Sequence, residues 1–160
     1  MITAAAKSDL PEIMSIFENA KVFMRRCGNM GQWTGGYPSA EVVGKDIEDG
    51  NFYVERNGDR ITGVFAFIVG PDPTYGVIDG EWLNDLPYGT VHRIASDGVN
   101  KGGSDRCFEF CLARTGNVRV DTHHDNRPMQ RCLERNGFKY CGVIRLADGS
   151  PRKAYQKSIV

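Results

Sequence analysis

The chain has 160 residues, with 20 Lys plus Arg balanced by 20 Asp plus Glu, 41% hydrophobic and 25% charged residues. That length is one ordinary domain, and folded-chain scaling gives it an accessible area near ~8,000 Å² against ~26,000 Å² unfolded, so roughly 69% of its surface can be buried without disulfides or metals. The composition excludes a disordered chain, and zero net charge removes the general electrostatic reason to expect nucleic acid or an anionic membrane as partner.

No apolar run approaches the ~20 residues that span a bilayer; the longest, Val64 to Val69, is strand-sized. The first residues, Met1-Ile-Thr-Ala-Ala-Ala-Lys-Ser-Asp, lack the basic-then-apolar plan of a signal peptide. Five cysteines (Cys27, Cys107, Cys111, Cys132 and Cys141) form no C-x-x-C pair, and their odd number favours free thiols over a disulfide framework. The expectation is a soluble cytoplasmic protein, one domain over residues 1–160.

Residues 2–6 read as a short strand. Ser8 or Asp9 then caps a helix whose apolar stripe (Leu10, Ile13, Ile16, Phe17, Ala20, Phe23, Met24) recurs at three- and four-residue steps until Gly28. A glycine-rich loop to Pro38 contains Trp33 and Tyr37, and a short helix follows from Ser39 to about Asp49. The period then changes to two: strands at 52–55 and 60–69 flank Asn57-Gly58-Asp59, a hairpin signal. A Gly/Pro-rich loop holds Tyr75, Glu81 and Trp82. Next come a strand at 89–96, a Gly-rich loop, and a helix carrying Cys107, Phe108, Cys111 and Leu112. A strand at 118–122 and a helix from about Asn126 to Asn136, ended by Gly137, precede two closing strands at 138–144 and 153–159. The order β-α-α-β-β-β-α-β-α-β-β is a mixed α/β sheet.

The segment 89–112, a strand running through a Gly-rich loop into a helix, is suited to hold an anion. Successive backbone N–H groups and the positive end of the helix dipole converge there. Gly102 and Gly103 permit close backbone approach, and Lys101 and Arg106 add charge. The loop lacks the Gly-Lys-Ser/Thr of a Walker loop and the G-x-G-x-x-G of a dinucleotide fold.

The order of elements, this loop, and the later run Asp125-Asn-Arg-Pro-Met-Gln-Arg-Cys-Leu-Glu-Arg-Asn-Gly-Phe138 together resemble the GNAT superfamily of N-acetyltransferases over essentially the whole chain. In that family the loop reads Arg/Gln-x-x-Gly-x-Gly/Ala and binds the pyrophosphate of acetyl-CoA. Here it is Val99-Asn-Lys-Gly102-Gly-Ser104, with Val99 in place of the Arg or Gln. A helix-opening Asn126 and the Gly137-Phe138 pair match the second motif, whereas the usual tyrosine acid one turn before that pair is Leu133.

The resemblance implies a GNAT-like fold: about seven strands, mostly antiparallel and splayed, flanked by about four helices. It implies acetyl-CoA as cosubstrate, no metal, and transfer of the acetyl group to a primary amine of a small molecule or peptide, by direct attack through a tetrahedral intermediate. The strand at 91–96 would splay from that at 118–122, with backbone groups of Ile94 and Ser96 pairing with the pantetheine arm and the Ile94 N–H holding the developing oxyanion. The implied cofactor-binding set is Ile94, Ala95, Ser96, Asn100, Lys101, Gly102, Gly103, Ser104, Asp105, Arg106, Asn126, Met129 and Cys132.

For proton transfer, His92 and His123 are the best-placed titratable candidates, because an imidazole titrates near neutrality. Glu81 is an alternative base or amine ligand, and Tyr140 a substitute acid. Trp33, Tyr37 and Trp82, with Tyr75, are loop aromatics suited to wall an acceptor pocket or to plug core ends. Arg25 and Arg26 could read an acceptor carboxylate or form a solvated helix end, and Arg127, Arg131 and Arg135 form an i, i+4, i+8 row.

Two further readings stand beside this one. Cys27 with a histidine would make a thiol enzyme; a non-catalytic acyl-CoA sensor would use the same fold. A metal site is disfavoured because adjacent His123 and His124 point apart on a strand. The expected partners are acetyl-CoA and the amine. No nucleic acid or membrane partner is expected, and the terminal strand is compatible with a monomer or a homodimer.

Overall fold

A computed structural model describes residues 1–160. Its accessible surface, 8447 Å², is close to the scaling expectation. Eight strands form one sheet: β1 (Ile2–Ala4), β2 (Phe52–Asn57), β3 (Arg60–Val69), β4 (Asp79–Gly80), β5 (Gly89–Ser96), β6 (Asn117–Thr122), β7 (Lys139–Arg145) and β8 (Pro151–Ser158). Four helices accompany them: α1 (Leu10–Arg26), α2 (Ala40–Glu48), α3 (Gly103–Thr115) and α4 (Arg127–Arg135). The spatial order is β1-β2-β3-β5-β6-β8-β7-β4, antiparallel everywhere except between β5 and β6.

The eighth strand, beyond the seven expected, is the two-residue β4, which pairs Asp79 with Val143 and Gly80 with Gly142 at the sheet edge. Two residues carry no readable period, so the pattern hid it. The last strand starts at Pro151 rather than Lys153, a first-residue position where a missing N–H does no harm. Asp9 precedes α1, but its carboxylate serves neighbouring groups rather than the helix: it accepts from the Ala6 N–H (2.8 Å) and pairs with Arg56 (2.7 Å).

The hairpin closes as Asn57-Gly58-Asp59 indicates, with Asn57 opposite Arg60. Apolar stripes fill three clusters. Ile13, Ile16 and Phe17 of α1 meet Val43, Phe52, Val54, Ile61 and Val64. Phe108, Cys111 and Leu112 of α3 meet Phe65, Phe67, Val91, Val120, Leu133 and Phe138. Tyr75, Ile144 and Ala154 form a smaller third group with Trp82 and Tyr88 against it. All five cysteines are free, and Cys107, Cys111, Cys132 and Cys141 are buried as small apolar residues.

Two features of β5 create an opening. It pairs with β6 only at Gly89↔Val118 and Thr90↔Arg119, after which the two strands diverge. Its register with β3 slips between Val64↔Ala95 and Ala66↔His92, leaving Arg93 and Ile94 without a cross-strand partner, a β-bulge.

Candidate active site

The divergence of β5 from β6 opens a cleft of about 750 Å³. Its walls come from β5 (His92, Arg93, Ile94), β6 (Val120, Asp121, Thr122), the α1–α2 loop, the start of α4 and the β7–β8 turn. Arg93 at the bulge is one of two non-glycine residues with positive φ, at 52°. Such backbone costs about 1–3 kcal/mol and persists only where surroundings enforce it. Here Asp46 of α2 grips the guanidinium through Nε (2.8 Å) and Nη2 (3.0 Å), and the Tyr37 hydroxyl accepts from Nη1 (2.8 Å). Burial alone disfavours the Arg93 charge, but Tyr37 and Asp46 outweigh it and raise its pKa.

His92 follows the alternation of β5 into the cleft. Its Nε2 lies 2.8 Å from Asp72 Oδ2, in the loop after β3. Asp72 is fixed in turn: Oδ1 accepts from the Thr74 N–H (2.8 Å) and hydroxyl (2.7 Å), and its own N–H donates to the Tyr88 hydroxyl. Burial pushes the Asp72 carboxyl up, but the hydrogen bonds from His92 and Thr74 prevail and hold it at about 2. Beside them, the Tyr75 hydroxyl donates to Asp121 Oδ2 (2.6 Å). Burial raises the Asp121 pKa, against the opposing pull of His92 and Tyr75.

His123 lies just past the end of β6 and is buried. Its Nδ1 accepts the Asp125 N–H (3.0 Å), which puts the proton of the neutral ring on Nε2, the atom facing Gly31. Burial lowers its pKa, and the charges of His124 and Arg152 lower it further. The rings of His123 and His124 are stacked, with centroids 4.2 Å apart, and do not point apart as expected, because the strand alternation stops at Thr122. With Asp125 they form a cluster of three potential metal ligands, but the Nδ1 lone pair of His123 is already taken by a backbone N–H.

The loop 97–102 is built on Asp97, whose Oδ1 accepts the Val99 and Asn100 N–H groups (3.0 Å each) and whose Oδ2 accepts from Asn100 Nδ2. Gly102, with φ 80°, precedes the first turn of α3, so the glycine is needed for backbone conformation. Lys101 is exposed. Arg106 is not free for an incoming anion: it pairs with the buried Glu55 through Nε and Nη2, and its Nη1 donates to the Lys101 carbonyl (3.0 Å). Glu55, which the sequence did not flag, sits with Ser96, Gly103 and Ser104 around a small cavity under this loop. Ile94 lines both cavity and cleft, whereas Ala95 lines only the cavity. Asp105 turns away to α4, accepting from Asn136 Nδ2 (2.8 Å) and Arg135 (2.9 Å).

Asn126 caps α4 by accepting the Met129 N–H (3.2 Å) and donates to Gln32 Oε1 (3.0 Å), so both ends of its amide are engaged within the chain. Met129 lines the cleft; Cys132 is buried in the α3–α4 core instead. Trp33 and Tyr37 line the cleft, but Trp82 does not. Its ring packs on Tyr75 and under the Arg119 guanidinium (4.0 Å), plugging the third core cluster. Glu81 is exposed next to β4, at the edge of the sheet, and is absent from the cleft wall. Tyr140 is exposed against Tyr155, also outside it. Arg25 reads no ligand: it donates to the carbonyls of Asn29, Gln32 and Trp33 and pins the α1–α2 loop. Arg26, Arg127, Arg131 and Arg135 are exposed.

Sequence reasoning missed Asp72, Asp121, Asp46 and the bulge. Asp72 does carry a local signal, since Asp72-Pro-Thr74 is an Asx-turn sequence. Asp121 alternates with Val118 and Val120 and so reads as solvent-facing, yet the aromatic loop 70–88 folds over that face.

A GNAT-family acetyltransferase structure from Streptococcus agalactiae 2603 is 33% identical, with a TM-score of 0.89 over 100% of this chain and 95% of that one. The chain belongs to the GNAT family of acetyltransferases. Other structures share the GNAT fold at lower identity. One is a GNAT-family acetyltransferase from Listeria monocytogenes 4b F2365 (19% identity, TM-score 0.71, covering 99% of this chain and 94% of that one). Another is a ribosomal-protein-alanine N-acetyltransferase from Brucella melitensis (16%, TM-score 0.66, 99% of each chain). No protein-family model and no curated protein matches the sequence. The GNAT relationship makes the chain an acyltransferase, and no helix in it is long and apolar enough to cross a membrane.

Proposed function

We propose that residues 1–160 form one acetyl-CoA-dependent N-acetyltransferase unit acting on a primary amine of a small molecule or peptide. The observation that carries this reading is the opening between β5 and β6, with the His92–Asp72 pair on its wall. Acetyl-CoA, as cosubstrate, supplies the activated acyl group. The features that fit it are the divergent strands, the unpartnered bulge at Ile94, and the N-terminus of the thirteen-residue α3 behind a left-handed Gly102. Of the implied set, Ile94, Ser96, Gly102, Gly103, Ser104 and Met129 would hold it. Asn100, Asp105, Arg106 and Asn126 position loop and helices through bonds to the rest of the chain.

In this reading the amine attacks the thioester carbonyl directly, forming a tetrahedral intermediate. His92 takes the amine's proton on its free Nδ1, while Asp72 fixes the ring through Nε2 and stabilises the imidazolium that forms. His123, which favours its neutral form, is the second proton-transfer candidate at the far side of the cleft. The position of the family's usual tyrosine acid is Leu133, which is fully buried and supplies none. The thiolate of CoA is a good leaving group and is protonated by solvent. The reading is tested by following loss of the thioester with a panel of primary amines, in the wild type and in His92→Ala. Amine-dependent consumption that falls sharply in the variant supports it; thioester bound but never consumed favours a sensor.

A further inference from the structure

The cleft wall carries four groups able to bear positive charge, and three are already committed. Arg93 is held by Asp46 and Tyr37, His92 by Asp72, and His123 favours its neutral form while accepting a backbone N–H. Arg152 is different. It lines the cleft half-buried, forms no ion pair, and its one hydrogen bond runs from Nη1 to the neighbouring Pro151 carbonyl (2.8 Å). A guanidinium has five donors in a planar fork, so most of this one remains unused.

Its neighbours give the free cation a context. Asp121 pairs with Ala154 across β6 and β8, and Arg152 lies two residues from Ala154, hence on the same sheet face and diagonal to Asp121. Diagonal neighbours of this kind are about 7–8 Å apart. The carboxylates nearby have partners of their own: Asp121 Oδ2 accepts from Tyr75, Asp72 from His92 and Thr74, and Asp148 Oδ1 from the Ser150 N–H and hydroxyl, while the Arg152 charge acts on Asp121 and Asp148 through space without an ion pair. Proton-accepting groups and an unpaired guanidinium therefore face one space, on the side of the cleft formed by the β7–β8 turn.

We infer that the acceptor carries a carboxylate near its amine, as an amino acid or short peptide does, and that Arg152 is the specificity-determining residue that binds it. The amine lies toward His92 and Asp121 while the carboxylate takes the guanidinium fork bidentately. This rests on the acetyl-transfer reading for the role of the amine, but the carboxylate site itself is testable without turnover.

The test uses amino acids and dipeptides, each paired with its C-terminal carboxamide, offered with acetyl-CoA to the wild type, Arg152→Gln and Arg152→Lys. The expected result is a KM at least tenfold lower for acids than for amides. Arg152→Gln should abolish that preference and Arg152→Lys restore part of it, with the KM for acetyl-CoA unchanged. Equal use of acids and amides, or an acid preference that survives in Arg152→Gln, overturns the inference. Saturation-transfer NMR of the same compounds, with and without CoA, decides the case if nothing is turned over. Contact with the acids that is lost in Arg152→Gln upholds the carboxylate site even if acetyl transfer fails. No contact, or contact unchanged in the variant, overturns it whether or not acetyl-CoA binds.

Discussion

His92 Nε2 and Asp72 Oδ2, 2.8 Å apart, join the central strand of the open sheet to a loop 20 residues upstream. The pairing fixes the ring so that its other nitrogen is left for the cleft. Replacing His92 with Ala should lower kcat/KM by about 10²–10⁴-fold, the usual range for a general base, with the KM for acetyl-CoA unchanged. Asp72→Asn should cost less, because the amide still holds the ring but does not stabilise its charge. A His92→Ala enzyme with wild-type turnover would remove the histidine from the mechanism.

The same carboxylate should be visible in stability. Asp72 is held at about 2, below its ordinary 3.8, so the folded state favours its ionised form. That contribution, at most about 2 kcal/mol, is complete above about pH 4 and is lost as pH falls toward 2. Urea unfolding of the wild type and Asp72→Asn should show a constant gap from neutral pH to about pH 5 that narrows between pH 4 and 2. A gap independent of pH across that window would show that the pair does not favour the ionised form.

The Asp46–Arg93 ion pair supports the bulge. Both side chains are nearly buried, and Arg93 sits at φ 52°. Asp46→Ala strands a buried guanidinium and should destabilise the protein by about 3–5 kcal/mol, read from denaturant midpoints. A loss below about 1 kcal/mol would mean that Arg93 reaches solvent without its partner.

Gly102 and Gly103 should behave differently. A valine at 102 is strained at φ 80° and places its Cβ 2.9 Å from Arg106 Nη1, whereas a Cβ at 103 makes ordinary contacts no closer than 3.6 Å. Gly102→Val should weaken CoA binding more than tenfold, and Gly103→Ala should change it by less than threefold. Unchanged affinity in Gly102→Val would place the pyrophosphate elsewhere.

Gly31 packs directly on His123: a Cβ there would lie 2.9 Å from Nε2. Gly31→Ala should displace the ring and slow turnover severalfold, but the same change in a His123→Ala background should do little. Additive effects would separate the loop from the histidine. Because burial and nearby positive charge lower its pKa, His123 favours the neutral form when folded. Its contribution to stability is therefore present above the unfolded value near 6.5 and shrinks as pH falls below it. His123→Gln should flatten that part of the stability curve.

The sequence made the fold legible wherever one face of an element was apolar. The α1 stripe, the Asn57 hairpin, the strand–loop–helix at 89–112 and the helix at 127–135 stand close to where periodicity and caps put them. The site was legible only in part. His92, Trp33, Tyr37 and Met129 reach the cleft, but Glu81 and Trp82 do not, because a loop residue's direction is set by what it packs on. Asp72, Asp46 and Glu55 escaped notice since their roles depend on contacts across 20, 47 and 51 residues of chain, which no local pattern encodes. Arg106 and Asn126 were the right residue types in the right places, but structural partners within the chain already occupy them.

The most direct test is isothermal titration of the purified protein with acetyl-CoA and, separately, with CoA. The open β5–β6 cleft and the Gly102 loop predict micromolar binding of both, weakened in Gly102→Val. Absence of binding to either would contradict acetyl-CoA as the cosubstrate of this GNAT chain.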